Sequence, residues 1–304
     1  MLEIGAHAIV VRGRWLRVAA VFDEDWHEEG VRDPAVYVAR LRAYWPASGR
    51  PDLFTFAQRL PDTHPRFPYP SERDSVAVIR IRSVDDWYRN RLSADARRNV
   101  KIAMRHGLVV RAAPLDDALV RGIAAINDES PIRQGKRFAH YRAGLDAVER
   151  ALATYPERSH FIGAYYEDEL IGFVRIVRVG LSGQIMQLLT KASHREKKPA
   201  NALIAEAVRY CVAERLPYLT FGRFQYGNRR TSSLRSFKRR TGFEEMLVPR
   251  YNIPLTVKGR IAVELGLHRR LIERLPDPIA SALWNLRRVW VQSAVSEEPS
   301  GRVR

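Results

Sequence analysis

The chain is short of cysteine, of long apolar runs and of acidic side chains relative to basic ones, and each shortage excludes something. One cysteine, Cys211, in 304 residues cannot close an internal disulfide. A disulfide-stapled secreted scaffold is therefore excluded, and a reducing compartment is the natural reading. Cys211 falls on the apolar side of a predicted helix, where a thiol packs as a small hydrophobe. No stretch approaches the roughly 20 apolar residues of a membrane span, and Met1-Leu2-Glu3-Ile4-Gly5 sets no basic run before an apolar core. The expectation is a protein neither secreted nor integral to a membrane, located in the cytoplasm. Also missing are His, Cys or carboxylate spacings of a metal site, a nucleophile-elbow serine, a phosphate-binding Gly-Lys-Ser loop and a dinucleotide fingerprint. No tightly bound cofactor or metal is expected.

What is present suffices for a folded protein. With 46% hydrophobic residues the chain can bury one large core or two modest ones. Lys and Arg number 51 against 34 Asp and Glu, a net charge of +17. That surplus suits an anionic partner: RNA, a nucleotide cofactor, anionic lipid or phosphorylated envelope material. Abundant Arg, Ala and Val are also what a G+C-rich bacterial genome yields, so both readings of the charge stand.

Residues 7 to 22 read as a hairpin, with Ala8 to Val11 turning through Arg12-Gly13-Arg14 into Trp15 to Val21. A helix follows from Pro34 to Trp45 with Pro at its start, then a strand at Leu53 to Phe56. The proline-rich crossover Pro61 to Pro70 leads to a strand from Ser75 to Ile81. Val84 to His106 reads as one long basic helix stopped by Gly107. Beyond it come a strand (Leu108 to Ala112), a helix (Leu115 to Ile126), a polar link (Asn127 to Arg137) and a helix (Tyr141 to Tyr155). Three strands, Phe161 to Tyr166, Leu170 to Val179 and Gln184 to Thr190, precede a helix opened by Pro199. Its apolar residues Ile204, Val208, Cys211 and Val212 mark one buried face. A strand at Tyr218 to Phe221, a basic helix ending at Gly242 and a strand from Phe243 to Ile253 complete the set. Residues Lys258 to Val295 read as two amphipathic helices split by Pro276-Asp277-Pro278. Their arginine-flanked apolar stripes suit either an anionic membrane surface or packing on the preceding domain. Ser296 to Arg304 is expected to be disordered.

Three stretches carry a family likeness: Ser93-Ala94-Asp95-Ala96-Arg97-Arg98-Asn99-Val100-Lys101, Lys198-Pro199-Ala200-Asn201-Ala202-Leu203, and Phe237-Lys238 through Gly242-Phe243. With the element order from Gly107 to Ile253, they resemble the GNAT acyltransferase superfamily, most of all its Fem-type branch of peptidoglycan-bridge aminoacyltransferases. The likeness implies an α/β (α+β) fold: a mixed, mostly antiparallel sheet flanked by helices. Residues 1–83 would form a reduced first half, 84–256 the acyltransferase domain, 257–295 a helical extension and 296–304 a tail. It also implies a transferase that moves an acyl or aminoacyl group onto an amine acceptor, in cell-envelope or peptide modification, with aminoacyl-tRNA as donor. Acetyl-CoA-using members bring a Gly-rich turn to the central helix so that backbone amides cradle the pyrophosphate. Here that turn is His194-Arg195-Glu196-Lys197-Lys198-Pro199-Ala200, without Gly and with a Pro that lacks the N–H. An acyl-CoA donor would have to be held by the side chains of Arg195, Lys197 and Lys198, with Asn201 on the helix behind them.

The likeness puts Phe237 and Lys238 beside the substrate, with Lys238 stabilising the developing oxyanion or the leaving oxygen. Without it, Lys238 reads as one more cation on a basic helix. Glu129 is a candidate base, and Arg133, Gln134 and Lys136 are candidate contacts for an anionic acceptor. Tyr226 is a candidate proton donor, and Asn228 either lines the cleft or caps the helix. The expected partners are an amine-bearing small molecule or peptide, tRNA, and a membrane met through 258–295. The remaining alternative is a non-catalytic RNA- or membrane-binding protein on a transferase scaffold.

Overall fold

The computed structural model describes residues 2–47, 49–133, 136–225 and 232–268. The first part holds β1 (Leu2–Ile4), β2 (His7–Arg12), β3 (Val18–Val21), α1 (Pro34–Tyr44), β4 (Leu53–Ala57) and β5 (Ser71–Arg80). Helix α1 begins where the Asp33 carboxylate accepts the Ala35 N–H at 2.9 Å and Pro34 occupies the first turn. The stretch that reads as one helix from Val84 to His106 is broken. A single turn, α2 (Val84–Asp86), runs into a π-helical turn at Trp87–Arg91, and α3 (Ala94–Arg105) starts afresh. Two local forces make the break: Ser93 caps α3 through the Ala96 N–H at 3.2 Å, and buried Trp87 donates its indole N–H to the Thr241 carbonyl at 3.0 Å.

Then follow β6 (Val109–Ala112), α4 (Asp117–Asp128), the two-residue strands β7 (Ile132–Arg133) and β8 (Lys136–Arg137), and α5 (Leu145–Leu152). The three long strands are β9 (Ser159–Tyr166), β10 (Glu169–Val179) and β11 (Ser182–Thr190). After them come α6 (Pro199–Ala213), β12 (Tyr218–Thr220), α7 (Ser233–Arg240), β13 (Glu244–Pro254) and α8 (Val257–Glu264). Of the C-terminal helices read from sequence, only the start is described, as α8; 269–304, including the proposed tail, lies outside the described residues. Among the described residues no helix is long and apolar enough to cross a membrane.

One eleven-stranded sheet takes the order β1-β2-β3-β4-β13-β5-β12-β11-β10-β9-β6. Three antiparallel strands, a helix and a parallel strand occur twice, as β1-β2-β3-α1-β4 and as β9-β10-β11-α6-β12. The two halves exchange their last strands: β5 lies against β12 and β13 against β4, with β5 and β13 paired at the centre. A boundary at 83/84, drawn from the sequence, therefore falls beside a strand bonded on both sides to the later part of the chain.

Alternation along the strands sets the layers. Val174 packs with α3 and α6, whereas its neighbour Phe173 packs with α4 and α5. The unbroken β5–β13 register carries the first of these faces from Ala77 and Glu245 across to Tyr251, which packs on α1. Helices α1, α3 and α6 thus cover one face; α4 and α5 cover the other at the β9–β11 end.

Candidate active site

Strands β11 and β12 run parallel, joined by α6, and pair only at Ser182–Tyr218, Gly183–Leu219 and Gln184–Thr220. Beyond Gln184, β11 continues to Thr190 while the other chain turns away with β5. A seam opens in which, among the described residues, the β12-facing backbone groups of β11 have no strand partner.

Gly222 makes the departure. At φ 54 it sits in the left-handed region that glycine adopts without strain. The Phe221 N–H still donates to Ala77 at 2.9 Å, but the Ala77 N–H passes over Phe221 and donates to the Gly222 carbonyl at 2.9 Å. This bulge leaves the Phe221 carbonyl outside the ladder. The Lys238 ammonium takes it up at 2.5 Å, donates also to the Arg223 carbonyl at 2.8 Å, and lies 4.4 Å from the centre of the Phe221 ring. Lys238 has no solvent exposure, and burial pushes its ammonium down to about 8. Its amine is engaged with the backbone of the bulge that follows β12. Phe237, one position earlier on α7, is half-buried and packs on the main core.

The link after α4 is tied to the end of β11 and the turn after it. The Glu129 carboxylate accepts the N–H groups of Ala192 and Ser193 (3.0 Å to the latter) and the Ser193 hydroxyl at 2.8 Å. Its partial burial favours the protonated form, but these donors outweigh it and hold the pKa below the ordinary carboxylate value. That occupancy makes Glu129 a tie between α4 and the turn after β11. Arg133 donates to the Ile126 carbonyl at 2.5 Å and the Thr190 carbonyl at 3.3 Å, and its guanidinium lies 5.0 Å from the centre of the Phe138 ring. Lys136 is exposed on β8, opposite Arg133. Gln134, Tyr226 and Asn228 lie outside the described residues.

Two side-chain atoms of this link, Asn127 Oδ1 and Arg133 Nε, and one on β11, Gln187 Oε1, are buried without a hydrogen-bond partner among the described residues. Asn127 follows Ile123 and Ile126 on the buried side of α4. Gln187 pairs in register with Arg175, on the sheet face that α4 and α5 cover. Native proteins leave few such atoms unpaired. Asn127 stands in the polar link seen in the sequence, but Gln187 carries no sequence signal at all, since only packing removes its partner.

At the start of α6, Lys198 is held at φ 56 and Pro199 takes the first turn. Pro199 has no N–H, that of Lys198 goes to the Arg195 carbonyl at 3.2 Å, and that of Asn201 to the Lys198 carbonyl at 3.1 Å. A backbone cradle for a pyrophosphate would thus lack the Pro199 donor and have to compete for those of Lys198 and Asn201. The Lys197 ammonium lies 4.1 Å from the centre of the Tyr166 ring and 3.4 Å from Glu196. Arg195 is exposed, and Lys198 and Asn201 are half-buried beside it.

A cavity of about 260 Å³ lies away from the seam, in the first half, lined by residues that include Arg12, Asp23, Glu24, Asp25, Trp26 and Arg250. It borders the place where β3 and β4, paired only at Val18–Leu53, Ala19–Phe54 and Ala20–Thr55, part company in turn. There the Glu24 carboxylate accepts the Ala57 N–H and pairs with Arg250 at 3.1 Å.

Residues 123–243 match the model of the Acetyltransferase (GNAT) family. Among solved structures the fold is similar to that of L-PGS from Bacillus licheniformis (16% identity, 86% of each chain, TM-score 0.53). A domain assigned as the C-terminal part of a lysylphosphatidylglycerol synthetase from Agrobacterium fabrum is likewise similar (12% identity, 84% of this chain and 83% of that one, TM-score 0.53). FemX follows at 10% identity over 78% of this chain and 72% of its own, with TM-score 0.50. No curated protein sequence matches the chain.

Proposed function

We propose that this chain, which contains a GNAT-family domain at residues 123–243, transfers an aminoacyl group from an aminoacyl-tRNA to an amine acceptor, as its Fem-type likeness implies. The observation that carries the reading is the pairing of an open β11–β12 seam with an α6 start that lacks the Pro199 N–H and turns those of Lys198 and Asn201 to its own carbonyls. Acyl-group chemistry needs the former. The latter disfavours a coenzyme A pyrophosphate held by backbone, while the exposed Arg195 and its neighbour Lys198 suit phosphates reached by side chains.

In the reaction the unprotonated acceptor nitrogen bonds to the acyl carbon, the ester C–O bond breaks, and the displaced ribose oxygen takes up a proton while the nitrogen loses one. No covalent enzyme intermediate is required. The seam would supply β12-facing N–H groups of β11 beyond Gln184 to the oxyanion. Lys238 would act through the backbone: by occupying the Phe221 and Arg223 carbonyls it removes the two acceptors that would repel negative charge, and it fixes the bulge. It is a positioning residue in this reading. Asn127 Oδ1 and Gln187 Oε1, already desolvated, would accept N–H bonds from the acceptor amine, with Arg133 Nε donating beside them.

The test is transfer of a labelled amino acid from charged tRNA to an amine acceptor, run in parallel with labelled acetyl-CoA. Product from charged tRNA, diminished by Gln187→Met, is the expected result. Product from acetyl-CoA alone would move the assignment to an acyl-CoA-dependent N-acyltransferase, and no product from either donor would overturn it.

A further inference from the structure

Helix α8 presents to solvent what helices normally bury. Val257, Ile261 and Leu265, spaced i, i+4 and i+8, are 73%, 49% and 61% exposed, and Trp15 in the β2–β3 turn is 60% exposed. Lys258 joins the two elements: its ammonium donates to the Trp15 carbonyl and lies 5.1 Å from the centre of the indole. The patch is rigid from beneath. Thr256 caps α8 through the Gly259 N–H at 3.0 Å and donates to Asp52 at 2.9 Å, and Ala262 is buried. Gly259 is close enough to strand β4 that an added Cβ would stand 2.0 Å from the Asp52 carbonyl oxygen. The exposed stripe thus cannot roll inward without breaking that contact.

The charges around it have one prevailing sign. Arg14, Lys258 and Arg260 are exposed at its margin. The nearby Asp52 carboxylate accepts from the Arg17 N–H and Thr256 and lies 3.7 Å from the Lys258 ammonium, and Glu264 is the exposed acid on the helix. A tryptophan, a line of aliphatic side chains and a cationic margin match the layered chemistry of an anionic lipid surface: acyl boundary, interface and phosphate.

We infer that the face formed by Trp15 and the Val257–Ile261–Leu265 stripe of α8 docks this protein on anionic membrane surfaces. The docking is peripheral and independent of the transfer reaction.

The test uses the full chain carrying Val257→Cys with an environment-sensitive fluorophore. Cys211 is buried and its thiol is pushed up to about 12 by that burial, so the introduced thiol is the one that reacts. Vesicles of phosphatidylcholine, with and without phosphatidylserine, are the probes. The expected result is a blue shift with the anionic vesicles only, reversed by about 0.5 M salt, and vesicle affinity reduced about fivefold or more by Trp15→Ser with Ile261→Ser. The urea midpoint of that double variant should match the wild type, since both positions are exposed. No shift with either vesicle would overturn the inference, as would equal shifts with both. A label already shielded without lipid would overturn it too. Shielding that grows with protein concentration would mean a second copy covers the stripe; concentration-independent shielding would mean the chain's own C-terminal residues do.

Discussion

Replacing Lys238 by Met separates burial from hydrogen bonding at the seam. The substitution keeps the length of the stem and deletes the ammonium, leaving the Phe221 and Arg223 carbonyls without this donor. Each unpaired buried carbonyl costs about 1–3 kcal/mol, an offset that does not depend on pH. The charge does. Burial lowers the Lys238 ammonium from 10.5 to about 8, so above pH 8 the folded protein releases a proton that the unfolded chain keeps until near 10.5. Wild-type stability must therefore rise with pH relative to Lys238→Met across that window. At about 1.4 kcal/mol per unit the gain is roughly 2–3 kcal/mol between pH 8 and pH 10. Below pH 8 the two curves should run parallel. Tyrosines complicate either curve alone: Tyr155, held up at about 12 by burial and by its bond to Asp23, favours the folded state less as pH climbs past 10. That effect is common to both proteins and cancels in the difference. Urea unfolding at half-unit steps from pH 7 to 10 measures it. A difference that stays flat would show that the two carbonyls hold the proton as firmly as water does, and the burial argument would fail.

Gly222→Ala should strain the bulge by about 1–2 kcal/mol, because its φ of 54 is left-handed, and should lower transfer by displacing the Phe221 carbonyl; urea midpoints and initial rates check both. Gly259→Ala should cost about 2 kcal/mol or more, since the new methyl meets backbone, which cannot swing aside; the thermal midpoint reads it. Glu129→Gln should raise the KM for the acceptor with a small loss of stability. In the wild type the stability contributed by this depressed carboxylate is present at neutral pH and lost as pH falls through its folded value below 4.5, a limb the variant should lack. Gln187→Met should stabilise the fold by about 1 kcal/mol, because it deletes a buried oxygen that has no partner, while slowing transfer about tenfold. A drop in stability would mean that the amide is structural.

Much of the fold was legible because its signals are local. Pro34 and Pro199 mark the first turns of α1 and α6, and the order of elements from Gly107 to Ile253 is as the apolar periodicity indicates. The break inside Val84–His106 was not, because Trp87 is drawn to a carbonyl 154 residues away. Strand β5 begins at Ser71, earlier than its alternating pattern suggests. Glu72, Arg73 and Asp74 look like a loop until β13 lies beside them and Arg250 pairs with Asp74. The exchange of β5 and β13 is a matter of long-range register, which no local pattern encodes. Lys238 was legible as a position through the family likeness. Its partners were not, since they depend on the bulge at Gly222. Asn127 and Gln187 could not be singled out in principle: an unpaired atom is defined by what surrounds it.

The two halves differ in the group that stands where their parallel strands diverge. In each, a helix returns the chain to a parallel strand that pairs over three positions and then diverges. In the first half Gln58 donates its N–H to Pro249 on β13, so the alternate N–H, of Ala57, points to the β3 side. The Glu24 carboxylate takes that N–H and is itself held by Arg250. An anion on the amide removes the donor that an oxyanion would need, and places like charge where the oxyanion would form. In the second half the plug has the opposite sign. The Lys238 cation takes carbonyls, removing acceptors, and among the described residues the β11 amides beyond Gln184 have no strand partner. The polarity of the group at each divergence thus favours negative charge at the second seam and disfavours it at the first. An acyl transfer, whose intermediate is an oxyanion, would under the proposed function take place at the second.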